Sequence, residues 1–209
     1  MNRSFLTRQF DERELVIATH NKGKLKEISE LVEPFGIKVI PPDVLNIPEP
    51  IENGTTFIEN AKIKAWSAVM NSGKTSLSDD SGLVVPALNG APGIYSARWA
   101  GPGRDFTAAM ARLNTELGDK DRGAFFVSAL VLLWPDGHME AFEGTVHGVL
   151  VWPPRGSLGF GYDPMFLPNG HNKTFGEFTP SEKHLYSHRS DAFNQLTAAC
   201  FSDLKKLGK

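Results

Sequence analysis

The spacing of apolar residues near the start of the chain predicts a strand, a helix and a second strand. Residues 15–18 form a short run of the kind found in buried strands. Apolar residues then recur at helical spacing over residues 25–32, until Pro34 and Gly36 end the pattern. Residues 37–40 return to a strand pattern. A strand, a helix and a strand in this order are typical of an α/β sheet.

The middle of the chain adds a helix and a long antiparallel portion. Thr56 and Glu59 have the spacing of a capping box, which predicts that a helix begins there. Asp105 is expected to cap another helix that ends at Gly118. Residues 124–134 then read as a long strand, and the composition of the residues that follow predicts a hairpin turn with strands resuming up to Trp152.

The last part of the chain is predicted to be helical. Thr179 and Glu182 form a second capping box, with Pro180 at the first helical position. We expect this helix to end at residues 187–189 and a final helix to cover residues 192–207. The pattern as a whole predicts a mixed α/β fold.

Composition sets limits on what the chain can bind. The 209 residues are 41% hydrophobic, and we expect one domain over residues 15–209 after a flexible extension over residues 1–14. The formal net charge of -2 provides no general attraction for nucleic acid, and the longest apolar stretch is too short to cross a membrane. The extension has no apolar core of the secretory type. A single cysteine, Cys200, suits a reducing compartment, so the cytoplasm is the expected location.

Six consecutive residues between the first strand and the first helix are candidates for binding phosphate. Helix N-termini present free amides and a partial positive charge, and anions bind there. Two lysines add charge, a glycine allows close approach, and threonine and asparagine can donate hydrogen bonds. The alternative is an ordinary helix cap with solvated lysines. The six residues are Thr19, His20, Asn21, Lys22, Gly23 and Lys24.

Asp79 and Asp80 are adjacent carboxylates followed by Ser81. Because two neighbouring carboxylates repel each other, such a pair usually needs a cation or hydrogen-bond donors to stay ionised. Carboxylate oxygens suit Mg²⁺, which also bridges substrate phosphates. Glu59 already has a capping role, so Glu52, in a loop, is the better second metal ligand. The alternative for the aspartates is a polar turn.

Residues in the last third of the chain could recognise a base. Phe160, Gly161, Tyr162 and Asp163 place aromatic rings beside a carboxylate, and aromatic faces stack on bases. His188 and Arg189 concentrate hydrogen-bond donors that fit carbonyl oxygens, and Lys183 could reach a phosphate. The alternatives are a turn beside a core strand and an ordinary helix terminus.

Six segments in this order resemble the inosine/xanthosine triphosphate pyrophosphatase family. Each is modest alone, but together they span nearly the whole chain from residue 15 to the last helix. The segments are Ala18–Lys24, Thr56–Ala61, Asp79–Leu83, Gly90–Arg98, Gly159–Pro164 and Ser187–Arg189.

The resemblance implies two α/β lobes around a long central mixed sheet, with the active site in a cleft between them. It also implies a homodimer that uses Mg²⁺ and cleaves dITP, ITP and XTP to the monophosphate and pyrophosphate. Asp80 is then the proton acceptor and, with Glu52, a metal ligand. Residues 19–24 and Lys183 hold the triphosphate, and Ser81 contacts substrate. Residues 160–163, His188 and Arg189 form the base pocket.

Two features depart from the family pattern. Ser190 stands where the family often has glycine, and the extension over residues 1–14 has no counterpart. Two other functions remain open at this point. One is an inert nucleotide-binding module with the same pocket, and the other is a pyrophosphatase that acts on other aberrant nucleotides such as modified pyrimidines.

Overall fold

The computed structural model describes residues 7–204, and in this part of the chain six strands form a single mixed sheet. The sheet order is β2-β1-β3-β4-β5-β6. β2 and β3 flank β1 in parallel, whereas β4, β5 and β6 continue the sheet antiparallel. The strands are β1 (Glu14–Ala18), β2 (Lys38–Ile40), β3 (Ser76–Val84), β4 (Gly123–Leu133), β5 (Met139–Leu150) and β6 (Phe166–Pro168). The α/β prediction is confirmed.

Six α-helices accompany the sheet within these residues. They are α1 (Lys22–Val32), α2 (Phe57–Ser72), α3 (Ser96–Trp99), α4 (Phe106–Leu117), α5 (Pro180–Tyr186) and α6 (His188–Cys200). The capping boxes at Thr56 and Thr179 are both formed, and Asp105 caps α4 through the amide of Ala108. None of these helices is long and apolar enough to cross a membrane.

Alternation along the strands sends side chains to two helical layers. In β1, Leu15 and Ile17 pack with α1 and α6, whereas Val16 and Ala18 pack with Ala68 of α2. The same alternation applies to the neighbouring strands, because successive side chains of a strand point to opposite faces. The sheet therefore lies between α2 on one face and α1 with α6 on the other.

A separate apolar cluster lies at the other end of β3 and β4. The side chains of Leu83 in β3 and Phe126 in β4 pack with Leu113 of α4 and with Phe166 and Phe175. This second core is distinct from the one under α1 and α6. The long strands β3 and β4 run through both, so residues midway along them lie where the two cores meet.

The described part of the N-terminal extension, which we expected to be flexible, is held against the core. Residues 1–6 lie outside the described residues. Phe10, however, is 1% exposed, packs against Phe201 and donates its amide to the carbonyl of Cys200. Arg8 pairs with Asp136. A buried aromatic ring and a backbone hydrogen bond hold this segment on the core.

The sequence predicted that residues 187–189 end a helix, but in the structure they begin one. Ser187 caps α6 by accepting the amide of Ser190, and it also follows the last residue of α5. His188 and Arg189 are the first two residues of α6, and Ser190 continues its first turn with its amide on Ser187. The final helix therefore covers His188–Cys200. Residues 205–207, which we expected within it, lie outside the described part of the chain.

Candidate active site

A pocket opens where the two cores meet, around the middle of β3. Its empty volume is about 1030 Å³, including the open solvent at its mouth. Asp79 and Asp80 lie within β3 and pair with Leu130 and Ala129 of β4. A polar turn was the alternative considered for the two aspartates, but they lie in a strand. They therefore point to opposite faces of the sheet.

Asp80 faces α2, where a buried lysine meets it. The Nζ of Lys64 lies 2.8 Å from Asp80 Oδ1 and 3.0 Å from Glu52 Oε1. The amide of Asn60 reaches Asp80 Oδ2 at 3.4 Å. Burial lowers the pKa of Lys64, but Asp80 and Glu52 outweigh that effect and raise it, so this lysine stays charged. Two carboxylates thus converge on one cation.

Asp79 faces the other way, toward α1 and α6. It is fully buried and contacts Lys24 at 2.8 Å and Arg189 at 3.3 Å, while Ser128 donates to it at 2.5 Å. Burial alone would raise the pKa of Asp79, but Arg189 and Lys24 hold it well below 3.8. The hydroxyl of Ser81 links Asp79 to Arg189, because it donates to Asp79 and accepts from Arg189. Asp79 therefore anchors the surrounding cations rather than facing solvent.

A second set of charges joins α1 to α5 and α6. Lys183 donates to Asp163 at 2.5 Å and to Glu27 at 2.9 Å, and Arg189 also contacts Glu27. Burial lowers the pKa of Lys183, but the charges of Asp163 and Glu27 outweigh burial and raise it above its ordinary value, so the ammonium remains charged. Asp163 in turn accepts the amide of Phe160. These contacts connect the aromatic loop to the helices.

Aromatic rings line part of the pocket. The Nζ of Lys183 lies 4.7 Å from the centre of the Phe160 ring, and His188 stacks on Phe126 at 4.8 Å. Burial, together with the charges of Arg189 and Lys183, lowers the pKa of His188 well below 6.5, so its imidazole is neutral at pH 7. Its Nδ1 is buried without a protein partner in the described residues. Such a polar atom in a pocket wall is suited to a ligand hydrogen bond.

The start of α1 is capped, but only one of its two lysines is solvated as the alternative requires, because Lys22 is exposed whereas Lys24 pairs with Asp79 at 2.8 Å. The side chain of Asn21 accepts the amides of Gly23 and Lys24, so these two amides are already bonded. A Cβ at Gly23 would lie 2.6 Å from the Phe160 ring, and glycine therefore permits this ring to pack on the helix. His20 contacts the carbonyl of Ile47, and Thr19 accepts the amide of Asn21.

The structure brings most of the predicted site residues into one pocket. Lys22 and Gly23 do not line it, and Lys22 is exposed. The predicted residues that do line it are Thr19, His20, Asn21, Lys24, Glu52, Asp80, Ser81, Phe160, Gly161, Tyr162, Asp163, Lys183, His188 and Arg189.

Sequence reasoning missed several residues of the site. Lys64 and Arg98 line the pocket, and Arg98 donates to the carbonyl of Glu52 at 2.7 Å. Asn60 and Glu27 lie behind it and hold lining residues. Arg104 also lines the pocket and adopts a positive φ of 51°. A lysine on the apolar stripe of α2 was a signal that could have been used, whereas Glu27 looked like an ordinary surface residue.

Known proteins are similar to this chain over almost its whole length. The dITP/XTP pyrophosphatase of Zymomonas mobilis is 53% identical over 197 residues, which cover 92% of this chain and 94% of the relative. The dITP/XTP pyrophosphatase of Rhodospirillum centenum is 54% identical over 202 residues, which cover 93% and 98%.

Solved structures agree in fold. A HAM1 protein from Coxiella burnetii has a TM-score of 0.82 at 38% identity, covering 90% of this chain and 98% of that one. The Ham1 protein of Staphylococcus aureus has a TM-score of 0.80 at 38% identity, covering 91% and 98%. The model of the Ham1 family matches residues 15–199, and the chain therefore belongs to the Ham1 family.

Proposed function

We propose that this chain is a dITP/XTP pyrophosphatase, a hydrolase that cleaves dITP, XTP and ITP to the nucleoside monophosphate and pyrophosphate. The relatives at 53% and 54% identity carry this activity in their names. The observation that carries the proposal is the convergence of Asp80 and Glu52 on the Nζ of Lys64, in a pocket that aromatic rings also line.

The Asp80 and Glu52 pair fits a magnesium ion. One oxygen of each lies close to the same cationic atom, the Nζ of Lys64, at 2.8 Å for Asp80 and 3.0 Å for Glu52. Mg²⁺ usually takes one or two carboxylates together with substrate phosphates and water. Among the described residues no three acidic, histidine or cysteine side chains cluster tightly enough to hold a metal alone. When bound, Mg²⁺ would neutralise phosphate charge and polarise the attacking water.

In this proposal the residues of the chain position the triphosphate and move one proton. Asp80 accepts a proton from the water that attacks the α-phosphorus, and Lys64 holds the carboxylate in place through its 2.8 Å contact. Lys24 offsets charge that develops on the leaving pyrophosphate, whereas Lys183, whose Nζ lies 4.7 Å from the centre of the Phe160 ring, is assigned to the aromatic end of the pocket. Because phosphoryl transfer depends mainly on positioning and charge neutralisation, no covalent intermediate is needed.

Base selection is assigned to the aromatic end of the pocket. Phe160 supplies a stacking face, and neutral His188 with the buried Arg189 supplies the polar side. A purine with oxygen at position 6 presents an acceptor to donors there, while the amino group of adenine would leave donors unpaired. Each unpaired buried polar group costs about 1–3 kcal/mol.

The wider arrangement is also part of the proposal. The two apolar cores on either side of the pocket support two lobes with a cleft between them. Trp66 and Met70, exposed four residues apart on α2, offer an apolar surface for a homodimer. The single cysteine suits the cytoplasm.

The test is pyrophosphate release from a panel of nucleotides. We expect release from ITP, dITP and XTP, little from ATP, loss of release in EDTA and recovery with added Mg²⁺, with Mn²⁺ as a substitute. Binding of ITP without any release would instead indicate an inert nucleotide-binding module. Faster release from modified pyrimidine triphosphates than from ITP would indicate the other enzymatic alternative.

A further inference from the structure

Glu27 is an acidic residue of α1 that lies behind the pocket wall and does not line the pocket. Its carboxylate is largely buried, with 13% of the side chain exposed. It lies three residues after Lys24, so both side chains project from the same side of the helix. A buried carboxylate is costly unless cations compensate it, so its partners indicate what it does.

Those partners are the two cations of the aromatic end of the pocket. One oxygen of Glu27 accepts Lys183 at 2.9 Å, and the other accepts Nη1 of Arg189. Each cation has a second carboxylate, Asp163 for Lys183 and Asp79 for Arg189. Burial would raise the pKa of Glu27, but Arg189 and Lys183 lower it, so the residue is ionised at neutral pH.

Both cations also lie over the same aromatic ring. The Nζ of Lys183 is 4.7 Å and the Cζ of Arg189 is 5.9 Å from the centre of the Phe160 ring. Two positive charges this close repel each other, and Glu27 is the anion that contacts both. Without its charge, each cation would keep one aspartate and lose its fixed position relative to the other.

We propose that Glu27 is a positioning residue for base selection, which holds Lys183 and Arg189 together beside Phe160 and so fixes the donors that an oxygen-bearing purine meets. The inference rests on the proposed hydrolysis of ITP. Glu27 touches no substrate atom and acts through its two partners. Its contribution is therefore tied to substrates that use those donors, and is small for ATP.

A purely structural role predicts a different result. If Glu27 only neutralised buried charge, its loss would weaken folding and reduce activity toward all nucleotides by the same factor. The ratio of kcat/KM for ITP to kcat/KM for ATP separates the two roles, because a uniform loss of folded protein cancels in that ratio.

The experiment compares Glu27→Gln with the wild type and with Glu30→Gln as matched control. Glu30 lies on the same helix, contacts Lys26 and His184, and does not line the pocket. The kcat/KM for ITP and ATP would be measured at saturating Mg²⁺, with circular dichroism as the check on folding. We expect Glu27→Gln to lower kcat/KM for ITP by about tenfold, the range of one charge-assisted hydrogen bond, and that for ATP by less than about threefold. Glu30→Gln should leave the ratio unchanged.

One outcome would overturn the inference while leaving the proposed function intact. It is an unchanged ratio of kcat/KM for ITP to kcat/KM for ATP in Glu27→Gln, whether both values stay at the wild-type level or fall by the same factor. Should Glu27→Gln not fold, Glu27→Asp decides, because it keeps the charge but is too short to reach both cations. We expect the ratio of kcat/KM for ITP to kcat/KM for ATP to fall in Glu27→Asp as well, and an unchanged ratio would count against the inference. Failure of the wild type to release pyrophosphate from ITP would refute the proposed function itself.

Discussion

Lys64 is a residue whose sequence context concealed its contacts. It lies on α2 among Ala61, Ala65 and Ala68, which face the sheet. Lys64 has the same helical spacing, so it too points inward and reaches Asp80. A lysine within an apolar stripe is a usable sign of a buried ion pair. Which carboxylate it meets depends on how α2 packs over β3, and local sequence does not determine that.

The first prediction concerns Asp80 as proton acceptor. Asp80→Asn keeps the size of the side chain and removes the charge that faces Lys64. We expect kcat for ITP to fall by about 10²–10⁴-fold, the usual contribution of a general base, while the protein stays folded. The measurement is pyrophosphate release at saturating ITP and Mg²⁺, with circular dichroism as the check on folding. Turnover above a tenth of the wild-type value would be incompatible with this role.

The second prediction concerns base selection by Arg189 and Phe160. The structure changes the expected role of Arg189, because its two terminal nitrogens are bound by Glu27, Asp79 and Ser81. Its influence on the base must come through the remaining Nε, which has no protein partner in the described residues, or through the charge it places there. We expect Arg189→Ala to lower kcat/KM for ITP far more than for ATP.

Phe160→Ala is the comparison for Arg189→Ala. Stacking on an aromatic ring is indifferent to base identity, so this variant should lower kcat/KM for both nucleotides and keep their ratio. Removing Arg189 leaves Asp79 buried with fewer partners, at a cost of about 3–5 kcal/mol in stability. The assays therefore belong at a temperature where each variant is shown to be folded. If the ratio for Arg189→Ala equalled that of the wild type, pocket shape or backbone groups would have to provide selection.

At the scale of elements, the boundary between α5 and α6 shows where local patterns mislead. The basic residues His188 and Arg189 suggested a helix end, because the helix dipole favours cations there. They lie instead at the start of α6, where the dipole disfavours them. Glu27 and Asp79 supply the compensation for Arg189, and burial keeps His188 neutral. Ser187 was the local signal for a start, since serine is a preferred N-cap.

The third prediction concerns the contact between α1 and the aromatic loop. In Gly23→Ala the added Cβ would lie 2.6 Å from the Phe160 ring, so the ring must move off the helix. Alanine is a better helix former than glycine by about 1 kcal/mol, which limits any loss of stability. We expect KM to rise by a similar factor for ITP and ATP, because both stack on the displaced ring. Steady-state kinetics would measure both KM values.

Lys26→Ala is the control for Gly23→Ala, since Lys26 is an exposed residue of the same helix. It should leave both KM values unchanged. A Gly23→Ala protein with the KM of the wild type would show that the position of Phe160 on α1 does not matter for binding.

At the scale of the whole molecule, the sequence predicted the elements better than their long-range contacts. The βαβ opening, the capped helices and the long hairpin follow from periodicity and turn residues, which are local properties. Phe10 was assigned to a flexible extension because its partner Phe201 lies at the other end of the chain. The contacts of Glu27 with Lys183 and Arg189 were missed for the same reason.

The last prediction concerns acid stability, which adds up contributions of buried carboxylates across the fold. Cations hold the pKa of Asp79 well below 3.8 and that of Glu27 below 4.5 in the folded chain. At these two positions the unfolded chain binds more protons than the folded chain, so both make the free energy of unfolding decrease as pH falls, whereas Asp163, whose pKa burial raises, acts in the opposite direction. The stabilisation is complete above about pH 5 and is lost progressively below the ordinary carboxyl pKa values.

Glu27→Gln tests this dependence on pH. It removes one of the depressed carboxyls, so its thermal midpoint should lie below that of the wild type at pH 6 and approach it toward pH 2. Asp79 remains in both proteins, so some dependence on pH should persist in the variant. The measurement is the thermal midpoint by circular dichroism at intervals from pH 2 to pH 7. Parallel curves, with the same difference at every pH, would mean that the charge of Glu27 does not stabilise the fold, and that its contacts with Lys183 and Arg189 contribute only by packing.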